Sequence, residues 1–319
     1  MCIRDSAWTE HSVQMDEAMI KLEAGKTYKL QVEYFDNGGD CFAGLYWKAP
    51  SAGSQNVLAR FGDAGKVAAE CDVTVAVLGI NKSIEREGQD RFSLELPVDQ
   101  QEFIKELYKV NPNTVVVLVA GSSMAVNWMD ENVPAILNAW YPGEQGGNAV
   151  AEVLFGDYNP GGRLPLTYYN SLDEIPAFDN YFVKGRTYQY FEGQPLYEFG
   201  YGLSYTKFRY KSKGVNVEQD TVKVSFEVSN TGKYDGDEVT QVYVKYPETG
   251  TYMPLKQLHG FKRVHIKKGK TSKVTIGVPK KDLRYWDEQE RKFVTPKGEY
   301  TFMVGASSDD IKFRETVGL

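Results

Sequence analysis

The sequence is poor in the residues that build histidine-based, metal and disulfide sites. It contains three histidines and three cysteines among 319 residues. Scattered cysteines in this number disfavour a disulfide framework or a zinc site. The histidines, at positions 11, 259 and 265, adjoin no candidate nucleophile, which disfavours a histidine-based triad. Carboxylate chemistry remains, and the sequence indicates no cofactor.

Basic charge and long apolar runs are also scarce. The net charge is -6 and the isoelectric point is near 5.4. The run Lys267 to Lys270 is too short to neutralise a series of phosphates, so we expect no nucleic-acid partner. No stretch of about 18 apolar residues occurs, so we expect no membrane-spanning segment.

The middle of the chain alternates buried-strand and helix patterns. At 319 residues the chain is long enough for two or three domains. Strands alternating with helices predict an α/β domain with a mainly parallel sheet, covered by helices on both faces. The predicted strands are 73–80, 114–121 and 135–140, and the predicted helices are 64–70, 100–107 and 147–155.

The last third has a different pattern, with short alternating strands such as 222–228 and 240–244. Turn sequences including Asn230-Thr231-Gly232 and Pro296-Lys297-Gly298 separate these strands, which is typical of a small β-sandwich. The predicted sandwich carries no catalytic constellation, and we expect it to fold independently.

The first 50 residues read as the end of a β module. Segments 13–21 and 29–34 alternate like antiparallel strands around a turn at 23–26, without a full set of partners. We therefore expect the chain to be a fragment, Met1 to Ser6 to be foreign sequence, and residues 1–50 to be the least protected region.

The charged loop Glu85 to Arg91 is the leading candidate for a site. It follows the first buried strand, and the carboxyl ends of parallel strands are where α/β proteins bind ligands. Two of its carboxylates, Glu85 and Glu87, lie close in sequence, and Gly88 permits a sharp turn. The competing interpretation is a solvated loop with a structural ion pair between Asp90 and Arg91.

A glycine cluster, Pro142 to Gly147, opens the last predicted helix. It matches neither a dinucleotide fingerprint nor a phosphate-binding P-loop. We favour a tight strand-to-helix turn in which the glycines permit positive φ and close packing.

Four motifs together resemble the carboxyl-terminal half of glycoside hydrolase family 3. The resemblance covers nearly all of residues 60–319 in consistent order. Residues 7–50 resemble the end of a PA14 module, and the last third resembles the fibronectin type III-like domain of this family. The four motifs are Gly79 to Arg91, Ala139 to Gly147, Gly161 to Pro165 and Phe199 to Tyr205.

The resemblance implies an exo-acting, retaining β-glycosidase that removes terminal sugars from non-reducing ends. In such enzymes two carboxylates flank the scissile bond, roughly 5 to 5.5 Å apart. The family's aspartate nucleophile lies in an amino-terminal (β/α)8 barrel that this chain lacks. The position carried over as acid/base is Glu87, with Glu85 as runner-up, and Glu87 is expected to be solvated here.

The same resemblance gives the expected organisation and setting. The fold class is α/β plus all-β: a partial PA14-like module at 1–50, an α/β domain at 51–206 and an immunoglobulin-like β-sandwich at 207–319. The segments 83–87 and 185–191 favour β-xylosidase slightly over β-glucosidase. We expect a glycoside substrate, the missing barrel as partner, and a periplasmic or secreted full-length protein.

Two other classes of function stay open at this level. A non-enzymatic carbohydrate-binding or scaffold protein would bind oligosaccharide without hydrolysis. A nucleotide-dependent enzyme using the turn at 143–147 would be stabilised by nucleotide.

Overall fold

The computed structural model describes residues 20–23, 25–32, 61–250 and 252–319. Most of the predicted amino-terminal strands, and most of the segment resembling a PA14 module, lie outside the described residues. The described part contains the predicted turn, in which the Lys26 N–H donates to the Glu23 carbonyl over 3.2 Å. The strand predicted at 29–34 is wrong over its described part, and no strand occurs at 20–23 or 25–32.

The described residues divide into two compact units, one including 61–121 and 128–140 and the other comprising 122–127 and 141–319. The first unit contains a parallel sheet of order β1-β2-β3, which confirms the predicted parallel sheet. Its strands are β1 (Thr74–Gly79), β2 (Thr114–Val119) and β3 (Ala135–Asn138). The helices of this part of the chain are α1 (Ala64–Glu70), α2 (Val98–Val110) and α3 (Asn127–Asn132).

The core of the first unit centres on β2, where Val116, Val117 and Leu118 are buried. Helix α2 adds the buried side chains of Ile104 and Leu107. The prediction that both sheet faces are covered is wrong for β1. Its inward residues are buried, but Val75 and Val77 are 45% and 65% exposed, so β1 buries a single face.

The second unit begins with the glycine-rich turn into α4 (Gly146–Phe155). The Gly146 N–H donates to the Gly143 carbonyl over 2.9 Å. A Cβ on Gly146 would lie 2.4 Å from the Pro142 Cβ, which confirms the close packing predicted for this turn. The expected positive φ is wrong at these glycines, because Gly143, Gly146 and Gly147 all have ordinary backbone angles. A short helix, α5 (Thr187–Tyr190), follows.

The last third forms two antiparallel sheets, of order β12-β11-β6-β7 and β4-β5-β8, as the alternating pattern predicted. A two-stranded hairpin, β9-β10, accompanies them. Inward residues of both sheets share one core that includes Phe226, Tyr300 and Phe302. The strands are β4 (Phe208–Val217), β5 (Thr221–Asn230), β6 (Gly236–Lys245), β7 (Gln257–Ile266), β8 (Thr271–Pro279), β9 (Tyr285–Asp287), β10 (Lys292–Val294), β11 (Glu299–Gly305) and β12 (Ile311–Gly318).

Two of the recognised motifs attach the segment before β4 to the sandwich. The Arg163 guanidinium lies 2.9 Å from a carboxylate oxygen of Glu238 on β6, and both side chains are buried. The Tyr210 hydroxyl donates to the second Glu238 oxygen over 2.6 Å. Gly200 has φ 84°, and a Cβ there would lie 2.2 Å from the Gln241 side chain. The motifs at 161–165 and 199–205 therefore have a structural role in this unit.

Candidate active site

The candidate acid/base loop, residues 80–97, starts from a clamped strand end. The side-chain amide of Gln100 on α2 donates to the Gly79 carbonyl and accepts from the Gly79 N–H, both over 2.8 Å. A Cβ on Gly79 would lie 1.9 Å from the Val119 carbonyl oxygen, so only glycine fits between β1 and β2. Ile80 and Leu96, near the two ends of the loop, are both buried. The loop therefore projects from a rigid base.

A hydrogen-bonded turn forms the first part of the loop. The Asn81 side-chain oxygen accepts from the Ser83 N–H over 2.8 Å and from the Ser83 hydroxyl over 2.7 Å. The Glu85 N–H donates to the Asn81 carbonyl over 3.1 Å. Asparagine commonly stabilises turns in this way, by replacing a backbone acceptor with its own side chain. This turn fixes the position of the backbone just before Glu85 and Glu87.

Glu87 lies at the tip of a two-residue hairpin. Arg86 and Gln89 exchange both backbone hydrogen bonds over 3.0 Å, leaving Glu87 and Gly88 as the central residues. Gly88 has φ 75°, the positive angle that a type II turn requires at this position. The Glu87 side chain is exposed and has no hydrogen-bond or ion-pair partner among the described residues. The hairpin thus presents a free carboxylate to solvent.

Glu85 has a different environment, although it is two residues away. Its carboxylate lies 3.0 Å from the Arg91 Nε, and the two side chains are only 20% and 10% exposed. Arg91 also donates to the Leu94 carbonyl over 3.4 Å. The ion pair that the competing interpretation placed between Asp90 and Arg91 is wrong: Arg91 pairs with Glu85, because the hairpin at 86–89 folds the chain back and brings the two side chains together.

Two residues important to this region were given no role by sequence reasoning. Gln100 holds the base of the loop, and no local sequence signal marks that contact because its partner is 21 positions away. Trp140, two residues after the end of β3, has φ 56°. That angle is uncommon for a bulky residue and is costly unless the surrounding structure imposes it. Such strain often accompanies a functional site. The motif at 139–147, which contains Trp140, was the only sequence signal for this position.

The described residues contain neither a metal-binding cluster nor a helix that could span a membrane. They contain no group of three or more histidine, cysteine, aspartate or glutamate side chains arranged to hold a metal ion. None of the helices within the described ranges is long and apolar enough to span a bilayer.

The α/β unit with its carboxylate loop and the β-sandwich each match a known protein family. Residues 13–205 match the profile of the Glycosyl hydrolase family 3 C-terminal domain, and residues 238–308 match the Fibronectin type III-like domain. The chain belongs to glycosyl hydrolase family 3. Its relatives include proteins named β-xylosidase and β-glucosidase.

Relatives with both enzyme names align with this chain. A xylan 1,4-β-xylosidase of Xylanibacter ruminicola is 42% identical over 70% of this chain and 26% of its own length. A β-glucosidase of Kluyveromyces marxianus is 36% identical over 92% of this chain and 37% of its own length. A periplasmic β-glucosidase of Salmonella typhimurium is 33% identical over 87% of this chain and 38% of its own length. The chain thus spans about a quarter to two-fifths of these relatives.

Solved structures share the fold. The crystal structure of the Kluyveromyces marxianus β-glucosidase superposes with a TM-score of 0.75 at 37% identity, covering 81% of this chain and 34% of that one. The crystal structure of the Bifidobacterium adolescentis family 3 β-glucosidase superposes with a TM-score of 0.74 at 33% identity, covering 81% of this chain and 40% of that one.

Proposed function

We propose that this chain supplies the general acid/base of a retaining β-glycosidase, and that Glu87 is that residue. The enzyme hydrolyses terminal, non-reducing β-linked xylose or glucose, with xylose slightly favoured by the segments 83–87 and 185–191. Its nucleophile is an aspartate of an amino-terminal barrel outside these 319 residues. The observation that carries the assignment is the contrast between Glu87, which has no partner among the residues that the structure describes, and Glu85, which pairs with Arg91.

The difference between Glu87 and Glu85 matters because the acid/base residue must reach the substrate and exchange a proton twice. In the first step the nucleophile attacks the anomeric carbon while Glu87 gives its proton to the departing glycosidic oxygen. In the second step Glu87 takes a proton from the water that releases the sugar from the nucleophile. Glu85 is suited to a different role, because its ion pair with Arg91 engages the carboxylate and restrains its orientation.

In this proposal Glu85 shapes the hairpin that carries Glu87. Its bond to Arg91 spans the hairpin, so the pair fixes the direction in which the Glu87 carboxylate projects. Gln100 and Gly79 fix the other end of the same loop. The position of Glu87 relative to the parallel sheet is consequently set by rigid elements.

The test compares Glu87→Ala with Glu85→Ala in the complete enzyme, using aryl β-xylosides and β-glucosides of graded leaving-group pKa. General acid assistance is worth about 10² to 10⁴-fold, and activated phenols need less of it. Glu87→Ala should therefore slow substrates with poor leaving groups far more than activated ones. Azide should restore turnover of activated substrates, because it attacks the glycosyl-enzyme without a base.

Glu85→Ala is the matched control and should slow all substrates by a similar factor. If Glu85→Ala shows the leaving-group dependence and azide rescue while Glu87→Ala does not, the acid/base is Glu85. An alternative class, the non-enzymatic carbohydrate-binding module, has no support in the named relatives, which are all glycosidases.

Two further proposals concern the complete protein. It carries a PA14 module, of which residues 7–50 form the end, and it is periplasmic or secreted. The Salmonella relative, named a periplasmic β-glucosidase, supports that location. Fractionation of the native host by osmotic shock, with xylosidase activity as marker, tests it.

A further inference from the structure

The loop at 176–186, here called the aromatic loop, exposes an unusual amount of apolar surface. Phe178, Tyr181 and Phe182 are 70%, 89% and 80% exposed, and Val183 is 53% exposed. Single exposed apolar residues are ordinary, but a contiguous group of them marks an interaction surface. Nothing in the proposed chemistry of Glu87 uses these side chains.

The aromatic loop is held in one conformation by Arg186. Its guanidinium donates to the backbone carbonyls of the loop: Ala177 over 3.0 Å, Asn180 over 2.7 Å, and Pro176 and Phe182 over 3.3 Å. An arginine that satisfies four carbonyls from inside a loop braces it against collapse. The exposed aromatics are therefore presented by a defined scaffold, which reduces the entropy cost of binding.

The end of the loop is also fixed. Gly185 has φ 75°, and a Cβ there would lie 3.4 Å from Pro176 Cγ. Thr187 is held at φ 55°, and its N–H donates to the Tyr169 hydroxyl over 2.7 Å. A β-branched residue in this region is strained. The end of this exposed loop is thus held in a strained backbone conformation at Thr187.

The chemistry of the patch resembles that of a protein interface. Its exposed rings are accompanied in sequence by the exposed charged residues Asp173, Asp179, Lys184 and Glu192, and protein interfaces commonly combine an apolar core with a polar rim. Phe178 and Phe182 offer no hydrogen-bonding group, whereas a sugar site needs several convergent polar groups. An apolar protein surface fits these observations better than a saccharide.

We propose that the aromatic loop is the docking surface for the amino-terminal region of the complete enzyme. This rests on the proposed function, in which that region supplies the nucleophile. The occupant is indicated by length: the chain spans 26% to 40% of its relatives, so most of each relative lies outside the part that matches. Packing against that region would bury aromatics that this chain leaves in water.

Hydroxyl-radical footprinting with mass spectrometry tests the proposal on the 319-residue chain and on the complete enzyme encoded by its gene. In the complete enzyme, oxidation of Phe178, Tyr181 and Phe182 should slow by about tenfold or more, because interface cores exclude water. Phe261, 68% exposed on β7, is the internal control and should react at a similar rate in both samples. Equal rates for the loop in both samples would overturn the proposal.

The other occupants are separate arms of the same experiment. Protection of the chain alone by xylo-oligosaccharide would make the loop a sugar platform, and protection that grows with chain concentration would make it a self-association surface. Either result overturns the proposal, as does a gene that encodes no amino-terminal region.

A variant pair gives an independent readout in the complete enzyme. Phe178→Ser with Phe182→Ser should increase hydrogen exchange in the amino-terminal segments that the loop covers, while Phe261→Ser should not. An unprotected loop combined with the expected Glu87→Ala kinetics would reject the docking alone. A protected loop combined with ordinary Glu87→Ala kinetics would reject the acid/base assignment alone.

Discussion

Two neighbouring glutamates acquire different chemistry from their immediate contacts. Glu85 is partly buried against Arg91, whereas Glu87 stands at a hairpin tip without a described partner. Sequence spacing makes the two equivalent, since they differ only by two positions in one loop. The hairpin separates them, because a two-residue turn directs its central side chains away from those that flank it.

His259 is the residue whose titration should control the acid stability of the sandwich. Burial lowers its pKa to about 4, with Asp282 opposing the effect, and its Nε2 lies 2.8 Å from the Tyr246 hydroxyl. Because the folded pKa is below the ordinary value of 6.5, the unfolded chain binds more protons between pH 4 and 6.5. Stability therefore falls as pH decreases through that window, by about 2 kcal/mol between pH 7 and pH 5.

Urea unfolding followed by circular dichroism at pH 7 and pH 5 measures that loss. The variant His259→Gln keeps a hydrogen-bonding group but cannot titrate, so it should remove most of the difference between the two pH values. His265→Gln, at an exposed position beside Asp237, serves as the matched control and should retain it. The same pH dependence in both variants would contradict the assignment to His259.

Among the elements, β1 carries most of the constraint on the candidate site. Its last residue is clamped by Gln100 and lies too close to Val119 for any side chain. The next strand, β2, is the buried centre of the sheet, so the clamp connects the loop directly to the core. Strain at Trp140 after β3 adds a second constrained position after a strand of the same sheet.

Replacing Gly79 should displace the loop and destabilise the sheet together. In Gly79→Ala the new Cβ would meet the Val119 carbonyl oxygen at 1.9 Å, so β1 must separate from β2. Severe overpacking of this kind costs about 3 kcal/mol or more. Gly143→Ala is the control, since a Cβ at that position would have no atom within 4 Å and the Gly143 φ is not positive. Denaturant unfolding of both variants should differ by at least that amount, and comparable stabilities would disprove the close approach.

At the scale of the molecule, the described residues contain a well-closed core in the sandwich and a partly open parallel sheet. The sandwich buries aromatic and β-branched residues from both of its sheets. By contrast, β1 exposes Val75 and Val77, and the aromatic loop exposes three large rings. The chain spans 26% and 37% of the length of the two relatives named first.

The purified 319-residue chain should therefore hydrolyse neither aryl β-xylosides nor aryl β-glucosides. A retaining mechanism needs two carboxylates on opposite sides of the bond, and the proposal gives this chain only the acid/base. Release of p-nitrophenol at high protein concentration measures it. The Glu87→Ala chain is the control for contaminating activity. Turnover by the original chain that this substitution abolishes would show that the chain holds a complete site.

Local sequence patterns predicted the strands of the parallel sheet, the helices α1, α2 and α4, and the antiparallel sandwich. Continuous β-branched runs predicted β1 and β2, and alternation with turn residues predicted the sandwich. These features depend on short-range periodicity and on backbone restrictions of single residues, so they can be read locally. The motifs likewise indicated the family that the comparisons confirm.

Contacts between residues far apart in the sequence could be identified from the folded structure alone. The pairing of Arg91 with Glu85 instead of Asp90, the clamp from Gln100 to Gly79, and the Arg163–Glu238 contact, 75 positions apart, depend on how the chain returns to itself. The exposed face of β1 and the ordinary φ values in the turn at 143–147 were also outside local reasoning. Contact energies depend on distances between remote residues, and sequence patterns carry no information about those distances until the fold has set them.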